Sequence, residues 1–223
     1  YWAYADYEDC MDLVEKMVRE AAEKIDALQV DWGGMDIDLS KPFKRVPMLK
    51  LLKDATGYDL GGVTDDEIKK VCIKNNIEVD GTWNYGQMLD ELMSKLVEPN
   101  LIQPTFIIDY PKAISPLAKV HRNGDQNLVE RYELFIGGAE FANSFSELND
   151  PVDQRERLEA QAALKEKGDE EAQPVDEQFI QAMECGMPPT GGVGLGIDRL
   201  TMLLTENRWI KDVILFPAMR PEK

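Results

Sequence analysis

Two adjacent glycines, Gly137 and Gly138, constrain the fold of this chain more than any other feature of its sequence. They separate residues 128–136 from residues 139–144, and both stretches have the apolar and polar alternation of β-strands. Adjacent glycines tolerate the positive φ angles that a two-residue hairpin loop requires. The two strands are therefore predicted to be antiparallel neighbours in a sheet.

The hairpin register places two carboxylates on one face of that sheet. With a two-residue loop, Phe135 lies opposite Glu140, and Glu133 lies on the same face one diagonal step away. Diagonal neighbours are about 7–8 Å apart at Cα, so their side chains can converge. Oxygen-only ligands suit Mg2+, which is usually shared with substrate phosphates. The pattern alone leaves two interpretations open: a magnesium site, or two solvated glutamates with Arg131 as an ion-pair partner.

A second glycine-rich segment, 191–196, runs into a predicted helix over 197–205. Glycine occupies every second position from 192 to 196, which favours a strand whose one face is left bare for a flat ligand. The spacing fits neither a Walker loop nor a convincing dinucleotide fingerprint. Arg199 follows near the start of the helix, where an arginine suits a phosphate. The alternative is tight packing of the helix on the strand, with Arg199 at the surface.

A third group of side chains follows the hairpin at every second position. Asn143, Phe145 and Glu147 could line a pocket that binds a small cation, because a buried carboxylate needs a positively charged partner. In a regular strand these residues are out of phase with Glu140. Both sets can face one pocket only if a β-bulge falls between Glu140 and Asn143. The alternative is an ordinary strand end that leads into a capped helix.

The rest of the pattern divides the chain into three parts. Residues 1–30 are predicted to form a strand and a long helix, with apolar residues at steps of three and four. Residues 31–100 are predicted to be a small helical insertion, with a capping box at 64–67. Residues 101–223 contain the hairpin, the glycine-rich segment and a predicted closing strand over 212–216. Antiparallel strands with helices to one side predict an α+β fold.

Composition excludes several classes of function. The chain has 42 acidic and 25 basic residues, and the formal net charge of -17 argues against a free-standing nucleic-acid binder. No run of about 18 apolar residues predicts a membrane span. The three cysteines are scattered, which argues against a zinc knuckle and fits a reducing cytoplasm. A single histidine, His121, excludes catalysis by several histidines.

These segments, in this order, resemble the C-terminal part of the catalytic domain of class II lysyl-tRNA synthetases of bacterial type. Residues 192–200 are similar to motif 3 of that family, and residues 133–150 are similar to its metal- and lysine-binding hairpin. Residues 1–7 resemble the strand that follows motif 2. The resemblance covers essentially the whole chain and implies an antiparallel sheet flanked by helices, with a small helical insertion.

The resemblance implies one set of residues for ATP. Glu133 and Glu140 would hold Mg2+ against the phosphates, and Arg199 would bind the terminal phosphate. Gly194 would form part of the floor near the nucleotide. Arg199 and Glu140 would thus be the catalytic residues of a reaction in which the lysine carboxylate attacks the α-phosphate of ATP.

A second set is implied for lysine. Tyr1 and Glu147 would contact the ε-ammonium group, and Asn143 and Phe145 would line the same pocket. The product, lysyl-adenylate, would then be transferred to the 3′-terminal ribose of tRNA(Lys). Such a reaction needs alignment and charge neutralisation more than acid–base catalysis, so one histidine is enough.

Other parts of the family pattern have no counterpart in these 223 residues. They are motif 1, which builds the dimer interface, motif 2, and the N-terminal anticodon-binding domain. We therefore expect a C-terminal fragment, inactive alone, of a cytoplasmic homodimer that does not bind a membrane. Two alternatives stay open: a synthetase-like paralogue that ligates lysine to a protein or metabolite, and a non-catalytic module derived from a synthetase.

Overall fold

A computed structural model describes residues 1–166 and 175–217 of the chain. The strands within these residues are β1 (Trp2–Ala3), β2 (Gln29–Asp31), β3 (Asp36–Asp38), β4 (Lys44–Pro47), β5 (Thr105–Ile108), β6 (Arg131–Ile136), β7 (Ala139–Ser146) and β8 (Thr190–Leu195). The α-helices are α1 (Tyr7–Lys24), α2 (Met48–Thr56), α3 (Asp65–Lys74), α4 (Tyr85–Leu92), α5 (Pro151–Glu166), α6 (Glu177–Glu184) and α7 (Ile197–Leu204). Short π- or 3-10-helical turns cover Met93–Val97, Glu98–Asn100, Lys112–Ile114 and Ile210–Asp212.

Six of these strands form one sheet in the order β1-β8-β7-β6-β5-β4. Every neighbouring pair in it is antiparallel except β4 and β5, which are parallel. The short strands β2 and β3 form a separate hairpin. The predicted α+β fold, with a largely antiparallel sheet flanked by helices, is confirmed.

One face of the sheet packs against α1. The helix begins at Tyr7 because the side chain of Asp6 accepts hydrogen bonds from the backbone N–H groups of Glu8 and Asp9. Its apolar positions recur at steps of three and four and are buried together with side chains of β6 and β7. The buried residues of α1 are Tyr7, Cys10, Met11, Val14, Val18 and Ala22.

The opposite face of the sheet is shared between a helical layer and a partly exposed region. Helices α2, α3 and α4 pack together over β5 and β6, where Leu52, Ile68 and Leu89 are buried in one cluster with Ile107 and Phe135. The adjoining region of this face, formed by β6, β7 and β8, carries five of the predicted site residues: Glu133, Glu140, Asn143, Phe145 and Gly194. Among the described residues, no helix has the length and apolar character to cross a membrane.

The structure differs from the sequence predictions in two places. The predicted helical insertion over 31–100 also contains β3 and β4, and β4 pairs with β5, so part of this stretch belongs to the main sheet. The predicted strand over 212–216 is wrong. A 3-10 turn at Ile210–Asp212 precedes it, no strand of the described residues pairs with it, and Leu215 and Phe216 are exposed. An apolar run needs a free sheet edge beside it to form a strand, and the sequence pattern cannot supply that information.

Candidate active site

The hairpin between β6 and β7 has the predicted register. Gly137 and Gly138 form its loop with φ angles of 58° and 75°, values that favour glycine. Phe135 lies opposite Glu140, and Glu133 lies on the same face two residues earlier. The two glutamates therefore share a face of the sheet, as the sequence predicts.

One extra residue in β7 aligns the two ends of the site. Phe141 has no cross-strand partner, because Glu140 and Ala142 pair with consecutive residues of β6. Its side chain is buried, and its carbonyl oxygen accepts a hydrogen bond of 2.8 Å from the backbone N–H of Gly196. This β-bulge shifts the phase of the strand, so Glu140 and Asn143 face the same side. The condition for a shared pocket, a bulge or bend between these two residues, is therefore met.

Strand β8 supplies a floor without side chains. Gly194 lies opposite Asn143, and Gly192 lies opposite Phe145, so both glycines are on the face that carries the polar residues. A Cβ atom on Gly192 would collide with the carboxylate of Glu147, whereas one on Gly194 would meet nothing closer than 3.8 Å. The alternating glycines thus leave one face of a strand bare, as predicted.

The neighbouring Gly191 serves the other face of the same strand. A Cβ atom there would lie 2.7 Å from the Sγ atom of Cys10 and 2.9 Å from the carbonyl oxygen of Asp6. Both atoms belong to the start of α1 or its cap, so this glycine permits close packing of the helix on the strand. Both interpretations of the glycine-rich segment therefore hold, at different residues. Gly191 allows the helix to pack closely on the strand, whereas Gly192 and Gly194 leave the other face of the strand without side chains.

One end of the site contains two carboxylates and two arginines. The Oε1 atom of Glu133 accepts a hydrogen bond of 2.6 Å from Arg131, and its Oε2 atom accepts one of 2.8 Å from the hydroxyl of Tyr110. Arg199 donates a hydrogen bond to the carbonyl oxygen of Glu140, and its guanidinium lies 4.0 Å from the carboxylate of that residue. The side chain of Arg199 is 54% exposed, which leaves it accessible to a ligand.

Negative charge accumulates at this end. Burial and the charge of Glu133 raise the pKa of Glu140, while Arg199 and Arg131 act in the opposite direction. Glu98, which the sequence analysis did not single out, lies in the turn before β5, and its pKa is raised by burial and by the charges of the other two glutamates. Raised pKa values on neighbouring carboxylates mean that a cation placed between them would be stabilised.

The donor set fits Mg2+ better than a metal held by many protein ligands. Within residues 1–166 and 175–217, no group of three or more histidine, cysteine, aspartate or glutamate side chains is arranged to hold a metal ion. Mg2+ commonly takes only one or two protein carboxylates and completes its coordination with waters and substrate phosphates. Glu133 and Glu140 supply two such carboxylates, of which Glu140 is the more exposed.

The other end of the site contains a half-buried carboxylate. Burial raises the pKa of Glu147 to about 7, while the positive charge of the N-terminus at Tyr1 acts in the opposite direction. None of the described residues gives its carboxylate a side-chain hydrogen bond or an ion pair, whereas its backbone N–H donates to Thr190. The ring of Tyr1 lies 3.1 Å from the place of a Cβ atom on Gly192, so Tyr1 and Glu147 flank the same glycine. The structure therefore brings these two predicted lysine contacts together.

Arg131 forms hydrogen bonds with residues at both ends of the site. The sequence pattern indicates only that it could form an ion pair with the glutamates. Its Nε atom donates to the Oδ1 atom of Asn143 at 3.2 Å, and its Nη1 atom donates to the carbonyl oxygen of Ile114 and the hydroxyl of Ser115 at 2.7 and 2.9 Å. The guanidinium lies 4.6 Å from the ring centre of Tyr110. The sequence pattern that could have identified this role is its position two residues before Glu133, which places both side chains on the same face of β6.

Comparison with known proteins identifies the family of the chain. A family model described as tRNA synthetases class II (D, K and N) matches residues 1–220. The chain is 54% identical over 225 residues to a lysine–tRNA ligase of Trichormus variabilis, spanning 100% of this chain and 40% of the relative. It is 48% identical over 224 residues to that of Porphyromonas gingivalis (100% and 39%) and 49% identical over 223 residues to that of Carboxydothermus hydrogenoformans (99% and 46%).

The chain thus spans less than half the length of these curated relatives. The shared length nevertheless includes the hairpin with its two glutamates, the bulge, and the glycine strand that leads into the helix of Arg199. With nearly every residue inside the match, the chain belongs to the class II tRNA synthetases, in the group that comprises the D, K and N enzymes.

Proposed function

We propose that this chain is the C-terminal part of the catalytic domain of a lysine–tRNA ligase. In that role it would activate lysine with ATP to lysyl-adenylate and help to transfer the lysine to tRNA. The observation that carries the proposal is one sheet face with a half-buried, unpaired carboxylate at one end and a carboxylate pair with an accessible arginine at the other. The identity of about half the residues to lysine–tRNA ligases supports the choice of lysine.

Lysine binding at one end of the site is inferred from the carboxylate of Glu147. Burial disfavours the ionised form of this carboxylate and raises its pKa, and a neighbouring ammonium group would favour the ionised form again. The ε-ammonium of lysine supplies such a group on an apolar stem. Phe145 lies on the same face opposite Gly192 and can pack against that stem, and the exposed Tyr1 lies beside Glu147 at Gly192.

Nucleotide binding at the other end of the site is inferred from the side-chain-free surface at Gly194 and from Arg199. The bare backbone at Gly194 lets a flat ring approach the strand, and Arg199 on the first turn of α7 can bind the terminal phosphate. Glu133 and Glu140 would hold Mg2+, which when bound would neutralise the charge that develops on the phosphates. Arg131 keeps the carboxylate of Glu133 in place.

The reaction asks little acid–base chemistry of the protein. The carboxylate of lysine attacks the α-phosphorus of ATP, a P–O bond to lysine forms, and the bond to pyrophosphate breaks. Both groups are already ionised, so no proton has to be moved. The residues of this chain contribute by holding the lysine ammonium at Glu147 and the terminal phosphate at Arg199, which aligns the reacting atoms between them.

Further partners belong to the same proposal. We expect the full-length enzyme, meaning the protein of its relatives' length that carries this chain, to be a cytoplasmic homodimer that binds ATP, lysine and tRNA(Lys). The chain's formal net charge of -17 suggests that the tRNA is held mainly by other parts of that enzyme.

The test is ATP–pyrophosphate exchange with the full-length enzyme, followed by aminoacylation of tRNA(Lys). Exchange that requires lysine, and not aspartate or asparagine, is expected. Exchange with either of the other amino acids would overturn the assignment of lysine. Lysine-dependent exchange without charging of tRNA(Lys), but with transfer to a protein or metabolite, would favour the paralogue. The same assay on the 223-residue chain alone is expected to show no exchange.

A further inference from the structure

We propose that Arg131 is a positioning residue that couples the amino-acid end of the site to its metal end. Its guanidinium is hydrogen-bonded both to Glu133, a proposed Mg2+ ligand, and to Asn143, a proposed lysine-pocket residue. The inference rests on the proposed function and adds a role for a residue that contacts neither substrate.

Both oxygen atoms of Glu133 are already oriented. Arg131 binds Oε1 and Tyr110 binds Oε2, so rotation of the carboxylate would break at least one of two short hydrogen bonds. Each carboxylate oxygen retains a lone pair for a metal ion. Partners of this kind orient metal ligands in many proteins, and their loss commonly weakens metal binding about 10- to 100-fold.

The same guanidinium orients the amide of Asn143. Arginine is a donor only, so the atom that receives its Nε–H at 3.2 Å must be the amide oxygen. The amide nitrogen of Asn143 is then left as the group available to the pocket. It can donate to an acceptor on the bound amino acid. Loss of the arginine would free the amide to rotate and present either atom.

Arg131 can fix both neighbours because it is itself held. Its Nη1 atom donates to Ile114 and Ser115, its Cζ atom lies 4.6 Å from the ring centre of Tyr110, and its side chain is only 17% exposed. The planar, five-donor fork of arginine matches this arrangement, whereas the ammonium of lysine is a point charge with three donors. Lysine at position 131 would keep the charge but could not reach all of these acceptors at once.

A shared anchor of this kind links the two ends energetically. A shift of Asn143 on amino-acid binding changes the hydrogen bond to Nε, and the rigid guanidinium transmits that change to Glu133. Lysine would then bind more tightly when the metal–nucleotide end is filled, and the reverse must hold by the same factor.

The test compares Arg131→Lys, Tyr110→Phe and Asn143→Ala in the full-length enzyme. Binding of Mn2+ is followed by electron paramagnetic resonance with a non-hydrolysable ATP analogue present, and lysine binding is followed by calorimetry with and without that analogue. Arg131→Lys is expected to weaken both Mn2+ and lysine by about tenfold or more. Tyr110→Phe should weaken only Mn2+, and Asn143→Ala should weaken only lysine. The effect of the analogue on lysine affinity should disappear in Arg131→Lys.

Arg155→Lys is the matched control. Arg155 also donates two hydrogen bonds to a carboxylate, that of Glu177, but it lies on α5 outside the site and shares no partner with Arg131. It should change neither the affinity for either ligand nor the coupling. If Arg131→Lys weakens only one ligand, keeps the coupling, or behaves like this control, the inference is wrong. A wild-type enzyme without lysine-dependent exchange would instead refute the proposed function, so the two failures are distinguishable.

Discussion

Glu133 lies directly opposite Asn143 in the pairing of β6 with β7, and one guanidinium is hydrogen-bonded to both side chains. The pairing depends on the bulged residue Phe141, which sets the phase of β7 beyond the hairpin loop. A proposed metal ligand and a proposed amino-acid contact are therefore cross-strand neighbours, and the two substrates can be brought together by the backbone register itself.

Glu140→Gln should reduce Mg2+-dependent adenylate formation by the full-length enzyme by orders of magnitude. The substitution removes the negative charge but keeps the size of the side chain, so the melting temperature should change little. Pyrophosphate exchange at increasing Mg2+ concentration measures the effect. Glu78→Gln, an exposed glutamate far from the hairpin in sequence, is the control. Unchanged turnover of Glu140→Gln would remove this residue from the metal site.

Glu147→Gln should weaken lysine binding far more than ATP binding. The substitution deletes the charge that would face the ammonium of the substrate, and removal of one partner of a buried ion pair costs about 2 kcal/mol or more, roughly 30-fold in affinity. Separate KM values for lysine and ATP in the exchange assay measure the effect. Similar losses for both substrates would contradict the proposed role of Glu147.

Lysine binding should release protons near neutral pH. The pKa of Glu147 is raised to about 7 in the empty site, so an increasing fraction of empty sites carries a proton as the pH falls through 7. The ammonium of lysine requires the ionised form and itself stays charged in this range. Lysine affinity should fall below about pH 7 and level off above about pH 8. Calorimetry in buffers of different ionisation enthalpy should detect up to about one proton per lysine at low pH.

The same titration in Glu147→Gln should show no proton release. The folded-state pKa of Glu147 lies above its ordinary value, so ionisation makes the fold less stable as the pH rises through 7. The variant should therefore be at least as stable as the wild type at about pH 8. Proton release that persists in the variant would assign the titration to another group.

Gly192→Ala and Gly194→Ala should separate the two substrates. A methyl group at 192 would collide with the carboxylate of Glu147, so the KM for lysine should rise. A methyl group at 194 meets no atom closer than 3.8 Å but occupies the bare floor, so the KM for ATP should rise while the fold is unchanged. The exchange assay with each substrate varied in turn tests both expectations. The same effect from both variants would show that the strand does not divide the site.

Gly191→Ala should act on stability. Its new methyl group would lie 2.7 Å from the Sγ atom of Cys10, and overpacking of this kind typically costs about 1–3 kcal/mol. Urea unfolding measures the loss. Combination with Cys10→Ala should restore part of the free energy of unfolding, because the smaller side chain makes room for the methyl group. Strict additivity of the two changes would show that the residues do not compete for this space.

The features predicted correctly from the sequence are local and have strict geometry. Adjacent glycines at 137 and 138 define a two-residue loop, and the parity of Glu140 and Asn143 demands a bulge if both face one pocket. The alternating glycines of 192–196 likewise need no tertiary information.

The missed features depend on residues that are distant in sequence. Tyr110 reaches Glu133 from 23 residues away, and Glu98 approaches the same carboxylate from a turn before β5. Strand β4 has two charged residues at its start and pairs with a strand about 60 residues later, so no local pattern identifies it. Residues 212–216 show the converse error, because their apolar character predicts a strand where the sheet offers no partner.

At Gly191 and Gly192, only the peptide backbone of β8 separates α1 from the sheet face that carries the proposed site. Helix α1 presses on one side of it through Cys10, and Glu147 lies against the other. Neither glycine has a side chain in this space, so a displacement at the start of α1 is expected to alter the proposed amino-acid pocket, although the two lie on opposite faces of the sheet.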